Sequence, residues 1–407
     1  MPRVNAARAV RSELLHNRTV GIDVDRDLLV TCFYDRDSPE HPVEEFPNTL
    51  VGFKALVHRS ALFDPGLIIL ESTGQYHLAA YDAMRLASLP VAVINPATVK
   101  ALLRVEGKSD RKDAFTLARI ASSFHLRRSN IPDQEQRRWR MYFKVYDDGY
   151  QAKRRSLNRL NAALTMAGCP IMKAVTGKAR MDIVRRIGLM SPFDAVSCHP
   201  QQKRHGMLAE MIPEDLPDYV MIYRDALMAQ ADLSQKQMDD ARSRLESIAD
   251  TDEVRTHMNW MLTVPWTSPW LALRVLAEMG SDFTSRYDTP ARFCSAMGCA
   301  PSSEVSGGKV LKVTATYGRV RLLTAHVQTL KGAVMHFKPG PLQLWYSQYR
   351  GRAGYSKSLL ALSHLLAEGW WVCTKMQTPW DEFKACGGRV SGYRHVDQET
   401  GEITVRY

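Results

Sequence analysis

No uninterrupted apolar run in the sequence reaches the roughly 18 residues of a membrane-crossing helix. The opening MPRVNAARAVRSELLHN carries charge without the apolar segment of a secretory leader. Neither membrane insertion nor export is expected, and the cytoplasm is the compartment that fits. The seven cysteines, Cys32, Cys169, Cys198, Cys294, Cys299, Cys373 and Cys386, are odd in number and contain no CxxC pair. That spacing argues against a disulfide framework and a zinc site, so reduced core thiols are expected. Acidic residues are the scarcer charge, 43 against 54 basic in 407 residues, for a formal net charge of +11. Such a surplus favours a polyanionic partner such as nucleic acid, with acidic small molecules as the other reading. An apolar share of 45% and a charged share of 24% exclude a disordered or fibrous chain, and the length calls for two or more domains.

The positive charge is concentrated. Residues 100–160 hold 16 basic against 7 acidic residues, and residues 302–357 hold 9 against 1. Between them, residues 208–255 reverse the balance with 12 acidic and 5 basic, which removes the middle of the chain as the main nucleic-acid face.

Period-two and helical patterns divide the chain. Arg18–Val24 and Leu28–Tyr34 read as a hairpin turning through Asp25-Arg26-Asp27, with Val43–Phe46 as a third strand. Leu50–His58 is helical, Gly66–Glu71 a buried strand, Tyr76–Leu89 a helix, Pro90–Asn95 a strand and Asp110–Phe124 a helix, with Pro96 at a helix start. Strands followed by alternating strands and helices predict a mixed α/β sheet with helical cover over residues 1–130. Residues 131–257 read as a helical, coiled-coil region. Its seam Leu227, Ala231, Ser234, Met238, Ala241, Leu245, Ile248 fits either an intermolecular coiled coil or an antiparallel pair within one chain. Residues 169–217 interrupt it irregularly. Residues 258–390 form a mostly α-helical domain, and 391–407 alternate about Glu399-Thr-Gly401 like a terminal β-hairpin.

Two acids stand where a strand disfavours them. Asp23 lies within a β-branched run, and Glu71 closes the apolar strand Leu67–Leu70 before Ser72-Thr73-Gly74. The carboxyl edge of an open α/β sheet is where ligands bind. Asp110 and Asp113, three apart at a helix start, project from one face, although N-capping and dipole compensation would also explain them. Four carboxylates at one sheet edge would repel unless cations held them, and a pair of Mg²⁺ ions suits such oxygen ligands. The neighbouring Lys100, Arg104, Lys108, Arg111 and Lys112 add positive charge for a phosphodiester.

These residues also carry a resemblance. Gly21-Ile-Asp-Val24, Glu71-Ser-Thr-Gly-Gln-Tyr76, Val93-Ile-Asn-Pro96 and Lys108-Ser-Asp-Arg-Lys-Asp-Ala114 resemble the successive motifs of insertion-sequence-110 family transposases. The resemblance implies a RuvC-like, ribonuclease-H-type domain whose DEDD metal tetrad falls on Asp23, Glu71, Asp110 and Asp113. In the second half, Phe283, the Phe293–Gly298 stretch, Pro301 and Ser306-Gly-Gly-Lys309 resemble the family's C-terminal domain, which places its serine nucleophile on Ser306. Two departures stand out: Val264-Pro-Trp-Thr-Ser268 replaces the usual Pro-Gly-x-Gly, and Thr314-Ala-Thr-Tyr-Gly-Arg319 replaces Thr-Lys-x-Gly-Asn.

The resemblance further implies a recombinase acting on double-stranded DNA, a structured noncoding guide RNA (the bridge RNA) and a site completed in a homo-dimer or tetramer. Arg138, Arg140, Lys153, Arg154 and Arg155, with Trp139, Tyr142, Phe143, Tyr146 and Tyr150 among them, could bind RNA by charge and stacking or could pack as core. Lys309, Lys312, Arg319 and Arg321 form the second basic group. A site-specific invertase of the same chemistry, a junction nuclease using water and an inactive nucleic-acid-binding relative are the competing readings.

Overall fold

The computed structural model describes residues 16–72, 74–95, 109–124, 128–306, 309–315, 320–386, 393–396 and 403–406, with residues 301–321 and the last two segments described by backbone alone. The chain divides into two compact units, Met1–Ile131 and Pro132–Tyr407.

The first unit is a five-stranded mixed sheet. Strands β1 (Arg18–Val24), β2 (Leu28–Asp35) and β3 (Val43–Pro47) form an antiparallel meander. Helix α1 (Leu50–Phe63) leads to β4 (Leu67–Glu71), and helix α2 (His77–Leu86) to β5 (Val91–Ile94). Both strands are parallel to β1, in the order β3-β2-β1-β4-β5. One face, with Val20, Ile22, Val24, Ile68 and Leu70, packs on Phe53, Leu56, Ala80 and Met84 of α1 and α2. Helix α3 (Asp110–Ser123) covers the other face through Ala114, Leu117, Ala118 and Ala121. The buried strands are continuous apolar runs because helices cover both of their faces.

The second unit is built on two long helices, α4 (Gln134–Met166) and α5 (Asp218–Ala249). They run antiparallel: Ser156 Oγ donates to Gln230 Oε1 at 2.9 Å, and Lys153 Nζ donates to Gln235 Oε1 at 2.5 Å. Further along, Phe143 shares a core with Leu245 and Ile248. A Cβ at Gly149 would fall 2.9 Å from Met238 Cγ, so glycine allows the two backbones to approach. All seven seam residues from Leu227 to Ile248 are buried, and the surface that covers them is the chain's own α4. The seam is therefore satisfied within the chain, which removes it as a free intermolecular zipper.

Residues 169–217 hold short helices at Ile171–Ala174, Gly177–Arg186, Pro192–Val196 and His205–Ala209. Their apolar residues, among them Ile183, Val184, Ala195 and Leu208, close over the turn between α4 and α5 as a separate core.

The longer helices that follow are α6 (Asp252–Met261), α7 (Pro269–Met279), α8 (Pro290–Met297), α9 (Val320–Ala333), α10 (Pro341–Ala353) and α11 (Tyr355–Met376), with short helices at Phe283–Arg286 and Glu382–Cys386. Helix α7 is buried on nearly every side, from Leu271 to Met279, and is the axis of the largest core. Strands β6 (Pro301–Ser306) and β7 (Lys309–Ala315) pair antiparallel with a bulge at Glu304/Val305, and β8 (Tyr393–Val396) pairs with β9 (Ile403–Arg406). Among the described residues, no helix is long and apolar enough to cross a membrane.

Candidate functional site

The direction of each strand and one glycine decide where the four acids go. Along β1, side chains alternate: Val20, Ile22 and Val24 enter the core under α1 and α2, which leaves Thr19, Gly21 and Asp23 facing α3. Thr19 Oγ1 donates to Ala118 O at 2.7 Å. Two residues on, a Cβ at Gly21 would lie 2.3 Å from both Ala114 O and Ala118 N, so the helix backbone rests directly on the strand there. A two-residue step in a strand is about 6.7 Å and four helical residues rise about 6 Å. Continuing at that pace, Asp23 meets the first turn of α3, where Asp110 and Asp113 stand.

On β4, Leu67 and Ile69 pack on Leu117 and Ala121, so Glu71, two residues further, faces the same side. The parallel register Ile22↔Leu70 sets Glu71 beside Asp23 at the carboxyl ends of adjacent strands. The four carboxylates thus belong to one side of one sheet edge. Ser109, with its oxygen accepting from Lys112 N, is the N-cap of α3, and Asp113 N donates to Ser109 O at 2.9 Å. Asp110 and Asp113 are therefore not needed as caps, although both still compensate the helix dipole.

Electrostatics registers the clustering. Burial first, then the charges of Glu71, Asp110 and Asp113, push the Asp23 carboxyl up from its ordinary 3.8 to about 6. Hard oxygen donors brought together at one sheet edge form a donor set that a divalent cation would stabilise.

The basic residues are less uniform. Arg111 is exposed, donates to Val43 O and pairs with Glu45 at 3.7 Å; Lys112 is exposed beside it. Lys100, Arg104, Lys108 and Arg319 lie outside the described residues. Lys309 and Lys312 are on β7 and Arg321 is on α9. On α4, Arg138 pairs with Glu135, and Arg154 and Arg155 are exposed. Arg140 instead donates to Ala277 O at 2.9 Å and Glu278 O at 2.6 Å, capping the carboxyl end of α7. Lys153 is held by Gln235.

Most of the interleaved aromatics are structural. Phe143 is buried, Trp139 and Tyr142 pack on the same core, and Tyr146 lies 4.7 Å from the Trp270 ring, leaving Tyr150 exposed. Ser306 is the last residue of β6 and pairs with Lys309, the first residue of β7. At the departure Val264–Ser268, Trp266 takes φ 56°, the left-handed region glycine favours, with its ring edge-on to Phe337 at 4.7 Å.

Sequence reasoning missed Gly21 and Ser109 as positioning residues. Their signals were present: a glycine inside a β-branched strand marks close backbone approach, and a serine just before a helix marks a cap.

Two family models match the chain. One, described as a transposase of the IS110 DEDD type, covers residues 20–168, and the other, described as a transposase of the IS116/IS110/IS902 family, covers residues 258–345. The first span contains all four acids and the second contains Ser306. The DEDD domain is RuvC-like, in agreement with the mixed sheet and its helical cover. No curated protein matches the chain.

Proposed function

Because the chain belongs to the IS110 family of transposases, we propose that it is an RNA-guided recombinase of an insertion sequence, cutting DNA at its carboxylate cluster and holding the cut end on Ser306. Family membership makes it a DNA-recombining enzyme with a DEDD domain that points to divalent-metal dependence. The observation that carries the finer reading is the convergence of Asp23, Glu71, Asp110 and Asp113 on one side of the sheet's carboxyl edge, where burial first and then the charges of the other three raise Asp23.

Asp23 and Glu71, on adjacent strands, and Asp110 and Asp113, on the first turn of α3, would hold the metal, best served by Mg²⁺ as a pair of ions. When bound, such ions polarise the scissile phosphate and stabilise charge on its oxygens. The rigid strands fix two of the carboxylates, and the helix resting on Gly21 fixes the other two. Ser306 Oγ attacks phosphorus: a P–O bond to serine forms, the P–O bond to one strand breaks, and the serine proton passes to the departing oxygen. One end leaves as a hydroxyl and the other stays as a phosphoserine ester, so reversal by a new hydroxyl rejoins DNA without an external energy source. The position of Ser306 at the end of β6, followed in sequence by Gly307 and Gly308 and paired with Lys309, supports this role because glycines allow a phosphate close approach.

The exposed Arg154 and Arg155 on α4, with Arg111 and Lys112 near the acids, support contact with the guide RNA and DNA by charge. Assembly as a dimer or tetramer belongs to the same proposal and follows from the resemblance.

The test purifies the protein with its co-expressed RNA and incubates it with element-junction DNA and Mg²⁺. A denaturant-resistant protein–DNA adduct that disappears in Ser306→Ala is expected. Mg²⁺-dependent cutting that persists in Ser306→Ala would leave a hydrolytic nuclease and remove the nucleophile assignment.

A further inference from the structure

A second ligand set lies in the second unit, far in sequence from the acids. Helix α8 ends at Gly298, whose φ of 89° is the left-handed cap that turns a chain back on its own helix. Gly298 N and Cys299 N both donate to Cys294 O, at 3.0 and 3.1 Å. That turn folds Cys299 against Cys294, and the Cys299 thiol also reaches Cys294 O at 3.4 Å. Helix α11 brings the third group: Cys294 Sγ lies 3.7 Å from His364 O. The two sulfurs and a His364 ring nitrogen all lie within 4.8 Å of one another.

The imidazole is oriented as metal-binding histidines are. Its Nε2 faces Glu368 Oε1 at 3.3 Å, one turn along α11, its Nδ1 is buried, and the ring interacts with the Cys299 thiol as well as with Glu368. A carboxylate on one ring nitrogen of an imidazole that lies beside a pair of thiols is the usual outer-shell arrangement of a zinc-bound histidine. Both cysteines are buried, at 0% and 1% exposure, which protects thiolate ligands from solvent and oxidant. Tetrahedral zinc, with Zn–S near 2.3 Å and Zn–N near 2.1 Å, needs ligand atoms about 3.5–3.8 Å apart. The three atoms reach that by closing through about 1 Å, within the range of side-chain rotation.

We propose that Cys294, Cys299 and His364 Nδ1 bind one soft transition-metal ion, zinc by preference, with Glu368 orienting the imidazole. Two sulfurs and one imidazole nitrogen select zinc-like ions over magnesium. A fourth position is left for water or an incoming ligand, and a cavity of about 1010 Å³ lined by Pro290, Leu365, Glu368 and Gly369 opens beside Glu368 as an approach. The ion ties the end of α8 to the middle of α11, immediately before β6, the strand that ends at Ser306. Cys294 and Cys299 are four intervening residues apart, within the ligand spacing of zinc sites, so the absence of CxxC does not exclude one.

The experiment uses the full chain, stripped of metal under reducing conditions and titrated with Co²⁺ alone, then Zn²⁺ alone. One cobalt per chain is expected, with a thiolate-to-cobalt charge-transfer band and tetrahedral d–d absorption that zinc abolishes. Cys299→Ser halves the charge-transfer intensity. Glu368→Gln keeps the band but weakens cobalt binding about 10- to 100-fold. If the buried cysteine variants fail to fold, the wild-type titration and Glu368→Gln, a partly exposed position, still decide. Folded wild-type protein that gives no sulfur charge-transfer band, or that binds cobalt through oxygen ligands only, overturns the proposal.

Discussion

In the first unit four oxygen anions are gathered by two strand ends and one helix turn; in the second, two thiols and an imidazole are gathered by a glycine-turned helix end and a neighbouring helix. The oxygen set is costly to the fold. Its charges repel, burial and those charges push Asp23 up to about 6, and each acid follows directly on apolar strand residues, Ile22 and Leu70. The sulfur set sits differently, because both cysteines lie in the main core among apolar side chains. The sulfur and nitrogen atoms lie within 4.8 Å of one another, whereas the carboxylates form no such close group among the described residues. Four carboxylates must be held apart by a scaffold until a cation joins them, whereas two sulfurs and an imidazole can be packed in contact.

The sharpest way to break this contrast is to remove one charge. Asp23→Asn is expected to lower DNA cleavage at least about a hundredfold, the scale of losing one preorganised electrostatic group, while raising the melting temperature of the metal-free protein. A coincident fall in both would mean that Asp23 is a structural residue. Gly21→Ala tests the scaffold instead: its Cβ would meet Ala114 O and Ala118 N at 2.3 Å, so a loss of about 3 kcal/mol or more is expected in denaturant unfolding. Arg140→Ala removes bonds to two backbone carbonyls and is expected to cost about 1–3 kcal/mol, with RNA affinity unchanged in filter binding. Arg154→Ala should do the reverse, lowering the salt slope of RNA binding by about 1 with stability unchanged. The smallest effect is on pH dependence. The folded-state value of Asp23 lies above its ordinary 3.8, so the folded state holds the extra proton between the two values. Its stabilising contribution is complete below 3.8 and is lost as pH rises through about 6. The metal-free wild type should therefore melt lower at pH 7 than at pH 5 by an increment that Asp23→Asn abolishes, measured by calorimetry.

The same contrast explains what was legible in the sequence. The hairpin, the strand ends and α3 followed from alternation and spacing, and Asp23 and Glu71 stood out because an acid in a β-branched or apolar strand violates propensity. Ser306 carried no such mark: a serine before two glycines looks like any polar turn, and only the resemblance singled it out. The seam on α5 was visible, but a period of three and four is the same whether the partner is another chain or α4. Phe143 and Tyr146 read equally as stacking or core residues, because their spacing on α4 turns them toward α7 and Trp270, which only the tertiary packing reveals. The Cys294, Cys299 and His364 group was hidden for the opposite reason to the acids. Buried thiols break no rule of composition, and the histidine comes from a helix far along the chain.

The measurement that bears most directly on the central claim is strand cleavage of element-junction DNA against Mg²⁺ concentration, for the RNA-loaded wild type and Asp113→Asn. Asp113 is partly exposed on the first turn of α3, behind a cap that Ser109 supplies, so its substitution should leave the fold intact. The account predicts cleavage that requires the metal in the wild type and falls at least about a hundredfold in the variant. Cleavage by Asp113→Asn at the wild-type rate and with the same Mg²⁺ dependence would contradict it.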